Sequence, residues 1–207
     1  MFHKKIEHHI NQALEDKGIE SPISVQKKSI SSIKSGIDSI IISPEKSGKT
    51  TALVVALVQM MKSSLNDVPR AMVVVDSKED ADNMKLLFDE IGKNTDLRVH
   101  CVYPGPNLLK IRDKVYYGTD VVIGTVKRLN ELYSNSGLNL NDLQMIAIDN
   151  ADTTIKIELH AQIDRLTEIM PNVQKIIFAK KMNERIERYA DKYMARPQII
   201  KATKSND

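Results

Sequence analysis

The sequence lacks several features that would each point to a particular class of protein. It has one cysteine, Cys101, so an internal disulfide is excluded, and this fits a reducing compartment. No apolar run approaches the roughly 18 residues that cross a bilayer, and the first ten residues are too polar for a secretory signal. None of the five histidines forms a metal-ligand motif with cysteine or glutamate. We therefore expect a cytoplasmic protein without a membrane segment or a histidine metal site.

The chain also lacks a strong net charge, an internal repeat and a Gly/Ser linker. Its formal net charge is +3, with 42% hydrophobic and 28% charged residues, which is ordinary for a soluble globular protein. This mildly basic balance is compatible with nucleic acid but does not by itself indicate it. The 207 residues fit one domain. We predict a single domain over 1–207, with helices in 1–37 and a sheet core in 38–201.

What the sequence does contain is an alternation of short apolar runs and helical patterns. The runs are rich in valine and isoleucine without strict polar alternation, which is typical of strands buried on both faces. They predict strands over 38–43, 71–75, 98–102, 120–124, 145–149, 174–178 and 197–201. Helical periodicity covers 3–16, 23–34, 49–62, 78–92, 107–114, 126–134, 155–169 and 183–195. This order predicts an α/β fold, a doubly wound and mostly parallel sheet flanked by helices. In such sheets, ligands bind at the carboxyl ends of the strands.

The segment after the first predicted strand is typical of a phosphate-binding loop. It runs from Ser43 to Thr50 as SPEKSGKT and matches the pattern G-x-x-x-x-G-K-S/T, except that Ser43 replaces the first glycine. In such loops backbone N–H groups surround the phosphates, the lysine reaches the outer phosphates and the hydroxyl ligates Mg²⁺. The candidate nucleotide-binding residues are Ser43, Lys46, Ser47, Gly48, Lys49 and Thr50.

An acidic group at the end of another strand usually helps such a loop to hold its metal. The predicted strand 145–149 ends on Asp149, and Asn150, Ala151 and Asp152 follow. Taken alone, an aspartate at a strand end could equally cap the next helix. Combined with the loop, Asp149 is a candidate metal-binding residue.

Residues 149–152 resemble a D-E-A-D box in which Asn150 replaces the glutamate. The chain as a whole is similar to the N-terminal RecA-like domain of DEAD-box ATP-dependent RNA helicases, with degenerate motifs. Other segments resemble the family's Q motif, motif Ia, paired glycines, motif Ib and motif III in the family's order: PISVQ (22–26), DSKEDA (76–81), PG (104–105), TVKRL (125–129) and AKK (179–181).

The resemblance implies a ligand, a partner and a role for each matched position. The ligand is ATP or ADP with Mg²⁺, with Gln26 recognising the adenine and Phe2 stacking on the base. The metal is held by Thr50, Asp149 and Asp152, partly through water. The partner is single-stranded RNA, bound without sequence preference by Lys78, Gly105, Thr125, Lys127 and Arg128; an alternative is that these are ordinary solvated residues. At motif III, which couples nucleotide to RNA in the family and reads S-A-T there, this chain has Ala179, Lys180 and Lys181.

Several departures from the family pattern fall on the ATP cycle. The family's glutamate activates the attacking water, whereas Asn150 is neutral and cannot accept a proton, and loss of a general base typically costs about 10²–10⁴-fold in rate. Lys46 replaces a glycine, at a cost of roughly 1–2 kcal/mol if its φ is positive. Glu45 would lie near the phosphates, point to solvent or pair with Lys46. We therefore expect nucleotide and RNA binding, with hydrolysis impaired or lost.

Three alternatives stay open at this point. The chain is an active ATP-dependent RNA helicase domain within a longer protein, a non-catalytic protein-interaction scaffold, or an unrelated P-loop enzyme such as a nucleotide kinase. In the family a second RecA-like domain supplies arginine fingers and half of the RNA groove. Nothing after residue 201 has the length to encode it, so we expect this domain in cis in a longer chain or in trans, and no unwinding by this chain alone.

Overall fold

The fold is a seven-stranded parallel sheet between two layers of helices. The computed structural model describes residues 6–19 and 24–201. Its strands are β1 Ser39–Ile42, β2 Ala71–Val75, β3 Val99–Val102, β4 Val121–Thr125, β5 Met145–Ile148, β6 Gln174–Ala179 and β7 Gln198–Lys201. They are ordered β3-β4-β2-β5-β6-β1-β7, and every neighbouring pair is parallel. The predicted α/β class is confirmed, and each predicted strand end lies within one residue of the observed one.

The helices cover both faces of this sheet. They are α1 His8–Asp16, α2 Ser24–Lys34, α3 Lys49–Met61, α4 Lys78–Ile91, α5 Leu108–Tyr116, α6 Val126–Ser134, α7 Ala151–Thr154, α8 His160–Glu168 and α9 Glu184–Tyr193. One buried cluster joins α1 to α4 with one face of the sheet, and a second joins α5, α6, α8 and α9 with the other. This double cover explains why the strands carry apolar side chains on both faces.

The prediction of one helix over 155–169 is wrong. The segment after β5 begins with the short helix α7, continues through a 3₁₀ turn at Ile157–Leu159 and only then enters α8. Lys156 separates the first two with an extended backbone, φ −87° and ψ 154°. The hydroxyl of Thr154 donates to the Asp149 carbonyl at 2.7 Å and holds α7 against the strand end. Periodicity alone did not reveal this break.

Helix α3 is buried on nearly every side, which fits its sequence KTTALVVALVQMM. It packs against α2 on one side and α4 on the other. Because the phosphate-loop candidate leads directly into α3, this packing holds the start of the helix in place. In the described part of the chain, no helix is long and apolar enough to cross a membrane.

Candidate nucleotide and RNA sites

Three neighbouring strands bring the candidate nucleotide residues to one edge of the sheet. Strands β5, β6 and β1 lie side by side, and their carboxyl ends carry Asp149, Lys180 and the loop that begins at Ser43. The loop is fastened at its start, because the N–H of Ser43 donates to the Ala179 carbonyl at 3.0 Å. Residues far apart in the chain therefore meet at one place.

The loop folds around the ammonium group of Lys49. This side chain is buried, and its Nζ donates to the Ser43 carbonyl at 2.9 Å. Burial lowers the pKa of Lys49 from its ordinary value, although Asp149 and Asp152 act in the opposite direction. Gly48 begins the helix with φ 72°, in the left-handed region that favours glycine. The loop thus presents a buried cation at a helix N-terminus, which is an arrangement suited to an anion.

Two hydroxyl groups of the loop are buried beside this lysine. Ser43 and Ser47 are almost fully buried, and their Oγ atoms have no hydrogen-bond partner among the described residues. Buried polar groups normally have a partner, so these two hydroxyls are available to a ligand oxygen.

The metal-binding candidates are also in contact. Thr50 donates its hydroxyl proton to Asp149 Oδ2 at 2.9 Å, and Asp149 Oδ1 accepts from the Asn150 N–H at 3.0 Å. Only 3% of Asp149 is exposed, and this burial raises the pKa of its carboxyl group. Asp152 lies on the next turn, where its Oδ1 accepts from the Lys180 N–H at 3.0 Å. Carboxylate and hydroxyl oxygens are the ligands that Mg²⁺ prefers, so this set fits the expected metal.

Asn150 adopts a left-handed backbone, with φ 47° and ψ 49°. Its carbonyl accepts from the N–H groups of Thr153 and Thr154 at 2.8 and 2.9 Å, which starts α7. Asparagine is among the few side chains that tolerate this region well. The side chain of Asn150 makes no capping hydrogen bond and is half-exposed.

Glu45 forms an ion pair with Lys180, rather than with Lys46 as one sequence interpretation had it. The hydrogen bond between them lowers the pKa of Glu45 and raises that of Lys180. Lys46 itself is exposed and has a positive φ of 55°, so the backbone strain that we expected for a positive φ applies to it. Lys181 is exposed beside Lys180.

Of the two residues predicted to contact adenine, Gln26 lies within the described part of the chain. Gln26 is buried in α2, the helix that packs on α3. Phe2 lies outside the described residues, so its predicted stacking stays a prediction.

The RNA candidates gather at the carboxyl ends of β2, β3 and β4, next to the nucleotide candidates. Lys78 begins α4, and Gly105 follows β3 with φ 119°. Thr125 ends β4, and Lys127 and Arg128 lie in the first turn of α6. A cavity of about 240 Å³ opens there, lined by Asp76, Thr125, Lys127 and Lys156 among others.

These candidates differ in how free they are to bind. Lys127 is exposed and forms no ion pair in the described chain, and the Thr125 hydroxyl is buried without a partner there. The Nζ atom of Lys78 lies over the ring of Tyr103, 5.4 Å from the ring centre, within the range of a cation–π contact. Arg128, in contrast, donates to the Pro106 carbonyl at 2.8 Å and pairs with a glutamate, so it braces the loop after β3.

Sequence reasoning missed two residues of this edge. Lys156 lines the cavity and forms an ion pair with Asp76 at 2.6 Å. Arg185 donates to the Asp152 carbonyl at 3.1 Å and so supports the acid box from α9. Neither lies in a motif, and only the strand order brings each to the site.

Comparison with known proteins agrees with this geometry. The profile described as DEAD/DEAH box helicase matches residues 23–186, which is well over half of the chain. The chain belongs to the DEAD/DEAH box helicase family. The ATP-dependent RNA helicase DBP10 of Phaeosphaeria nodorum is 26% identical over 192 residues, which cover 92% of this chain and 22% of that protein. For the DEAD-box ATP-dependent RNA helicase RhpA of Helicobacter pylori, the identity is 26% over 190 residues, 91% of this chain and 38% of that protein.

The fold of this DEAD-box helicase domain is also that of a solved relative. A DEAD box protein from the hyperthermophile Methanococcus jannaschii superposes with a TM-score of 0.88 at 21% identity, covering 95% of this chain and 54% of that one. The chain therefore spans about a quarter to a half of these relatives. The predicted resemblance to the family is confirmed, and the RecA-like sheet is shared.

Proposed function

We propose that this DEAD-box helicase domain binds ATP or ADP with Mg²⁺ at the ends of β1, β5 and β6, with ATP hydrolysis impaired or lost. The observation that carries the proposal is the hydrogen bond between Thr50 Oγ1 and Asp149 Oδ2 at 2.9 Å. It joins the phosphate loop to the acid box, the two parts that an ATP site needs. Lys49 and the buried hydroxyls of Ser43 and Ser47 lie in the same loop.

The metal would be held by the Thr50 hydroxyl and the Asp149 carboxylate, with Asp152 acting through water. When bound, Mg²⁺ neutralises charge on the phosphate oxygens and orients them. The chain itself fixes the positions of these ligands: α3 is buried on nearly every side, and Asp149 directly follows β5, the central strand of the sheet. Rigid elements of this kind hold ligands more precisely than loops do.

Hydrolysis needs a group that takes a proton from the attacking water, and Asn150 cannot do so. Ala151, the residue between Asn150 and Asp152, carries no carboxylate either. Both carboxylate oxygens of Asp149 already accept hydrogen bonds, from the Thr50 hydroxyl and the Asn150 N–H. These contacts support slow turnover in this domain. The same family membership supports single-stranded RNA as the partner, along the ends of β2, β3 and β4, and a second RecA-like domain in cis or in trans for strand separation.

Titration with a fluorescent ATP analogue, with and without Mg²⁺, tests the binding. We expect saturable binding that Mg²⁺ strengthens, loss of at least tenfold in affinity for Lys49→Ala, and no change for Lys85→Ala on the exposed face of α4. Absence of binding at millimolar nucleotide by the folded protein would favour the interaction scaffold instead.

The Asn150→Glu variant tests the loss of hydrolysis. Joined to a second RecA-like domain and supplied with RNA, this variant should release phosphate about 10²–10⁴ times faster than the parent. Glutamate tolerates the left-handed backbone less well than asparagine, so we also expect a loss of about 1 kcal/mol in unfolding free energy. A parent that already hydrolyses ATP at the rate of the variant would instead support an active helicase domain.

A further inference from the structure

Two positions at which this chain departs from the family pattern are in direct contact. Glu45 occupies the phosphate loop, Lys180 follows β6, and their side chains form an ion pair. Lys180 also donates its backbone N–H to Asp152 Oδ1 at 3.0 Å. One residue therefore touches the phosphate loop through its side chain and the acid box through its backbone.

The ammonium group of Lys180 lies within electrostatic reach of the phosphate-binding lysine. Burial is the main cause that lowers the pKa of Lys49, and the charge of Lys180 lowers it further, whereas Asp149, Asp152 and Glu45 raise it. The carboxylate of Glu45 neutralises the ammonium group of Lys180 in this ion pair.

This ion pair is weakly held. Glu45 is 66% exposed and Lys180 is 38% exposed, and exposed pairs contribute little because water and salt screen them. A nucleotide phosphate carries more charge than one carboxylate and is held by the loop N–H groups at the same time. It can therefore take the place of Glu45 at the ammonium group.

We propose that the outer phosphate of a bound nucleoside triphosphate displaces Glu45 from Lys180, which makes Lys180 a phosphate-binding residue and Glu45 its internal competitor. This rests on the nucleotide binding proposed above. The backbone of Lys180 is held by Asp152, which the proposed function places near the metal, so we expect its side chain to contact the outer phosphate and to favour the triphosphate over the diphosphate.

A purely structural role for the pair makes a different prediction. If the pair only maintains the shape of the loop, removing either partner weakens nucleotide binding, and both substitutions act in the same direction. A competitor and a phosphate ligand act in opposite directions. The sign of the two effects therefore separates the two roles.

The experiment measures the affinities of fluorescent ATP and ADP analogues for Glu45→Gln and Lys180→Gln, with thermal unfolding to check the fold. We expect Glu45→Gln to raise the affinity for ATP about two- to fivefold, the range of an exposed ion pair. Lys180→Gln should lower it about fivefold, Lys180→Arg should restore most of the loss, and ADP should change less than twofold in each variant.

Two controls isolate the pair from general charge effects. Lys85→Gln removes a cation from an ion pair on α4, and Lys93→Gln removes a cation from the ion pair with Asp16 just after that helix. Both should leave the ATP affinity within twofold. The inference is overturned if Glu45→Gln and Lys180→Gln shift it in the same direction, if both leave it unchanged, or if either control variant lowers it as much as Lys180→Gln does. A folded parent without nucleotide affinity would overturn the proposed function as well, whereas these other outcomes leave it standing.

Discussion

Lys46 holds a backbone conformation that its side chain disfavours. Its φ of 55° lies in the left-handed region, where a non-glycine residue pays roughly 1–2 kcal/mol. Glycine would remove this strain but would lose about 0.5–1 kcal/mol to the greater freedom of the unfolded chain. The family pattern has glycine here, so the lysine keeps a cation in the loop at a cost in stability.

We therefore expect Lys46→Gly to raise the unfolding free energy by about 0.5–1 kcal/mol, measured by urea denaturation. The control is Lys62→Gly, because Lys62 directly follows α3 with φ 60°, and the ion pair with Glu7 that it loses is exposed and contributes little. Both variants should be stabilised, while only Lys46→Gly alters the affinity for nucleotide. A destabilised Lys46→Gly protein would show that the side chain contributes more than the strain costs.

Cys101 is half-buried in β3, with its Sγ 3.6 Å from the Ala81 carbonyl. Burial raises the pKa of the thiol from 9.0 to about 11. The thiolate is the reactive form, and at pH 8 it is about one part in a thousand of the folded protein. The native thiol is therefore expected to be inert, as its apolar sequence context predicts.

Iodoacetamide at pH 8 should leave Cys101 of the native protein unmodified during a time that fully labels it in urea, as measured by mass spectrometry. The raised pKa of Cys101 also makes the stability of the fold depend on pH. A thiol with a raised pKa in the folded state stabilises the fold below pH 9, and this contribution is lost as the pH rises toward 11. Stoichiometric labelling of native protein at pH 8 would contradict the burial.

At the scale of elements, one buried carboxylate ties together the amino ends of three strands. Asp120 precedes β4, is fully buried, and accepts from Arg70 Nη2 at 2.8 Å and Arg98 Nε at 3.0 Å. Arg70 precedes β2, and Arg98 precedes β3. Burial would raise the pKa of Asp120, but the hydrogen bonds from the two arginines outweigh burial and hold the pKa below its ordinary value.

Replacement of Asp120 by alanine leaves Arg70 buried without its charged partner. We expect a loss of about 3–5 kcal/mol in unfolding free energy, against about 0.5 kcal/mol for Asp89→Ala, which removes an exposed pair on α4. Denaturant titration measures both losses.

The pH dependence of the same variant gives an independent check. Because the folded pKa of Asp120 is lowered, its contribution is present above 3.8 and is lost as the pH falls below that value. The difference between parent and variant should therefore shrink in acid. Equal losses for Asp120→Ala and Asp89→Ala at pH 7 would mean that the cluster does not hold the strands together.

At the scale of the whole molecule, the two candidate sites share one edge of the sheet. The nucleotide candidates lie at the ends of β1, β5 and β6. The RNA candidates lie at the ends of β2, β3 and β4, and β2 is adjacent to β5. Lys156 and Asp76 pair at the boundary between them. The proposed nucleotide and RNA sites are therefore neighbours along one edge of the sheet.

Lys127→Ala should weaken binding to single-stranded RNA uniformly across sequences, since the contact proposed for this lysine is with phosphate rather than with bases. The slope of log affinity against log salt should decrease by about 0.7–1, as expected for one lost phosphate contact. Fluorescence anisotropy with labelled oligouridine over a salt series measures this. Lys114→Ala, an exposed lysine on the outer helix α5, is the matched control and should leave the slope unchanged. Equal effects of the two would point to a diffuse surface charge instead.

Local patterns predicted the strands because each strand is short and rich in apolar residues, and those inside the sheet are buried on both faces, whereas the edge strands β3 and β7 are partly exposed. They failed at 155–169 because Lys156 breaks the helix without a proline or glycine to mark it. For the site residues, too, those within local motifs were predicted and those without a motif were not. Lys49, Thr50 and Asp149 were found because their motifs are local, whereas Lys156 and Arg185 have no motif and reach the edge only through the packing of distant elements.

The sequence by itself determined the family, the parallel sheet and the edge at which the chemistry lies, because each motif follows its own strand. Only the tertiary structure decided that Lys46 adopts a positive φ and that Glu45 pairs with Lys180. The reason is that β6 lies beside β1 in space although most of the chain separates them in sequence. A partner chosen by strand order leaves no signal in the residues next to it.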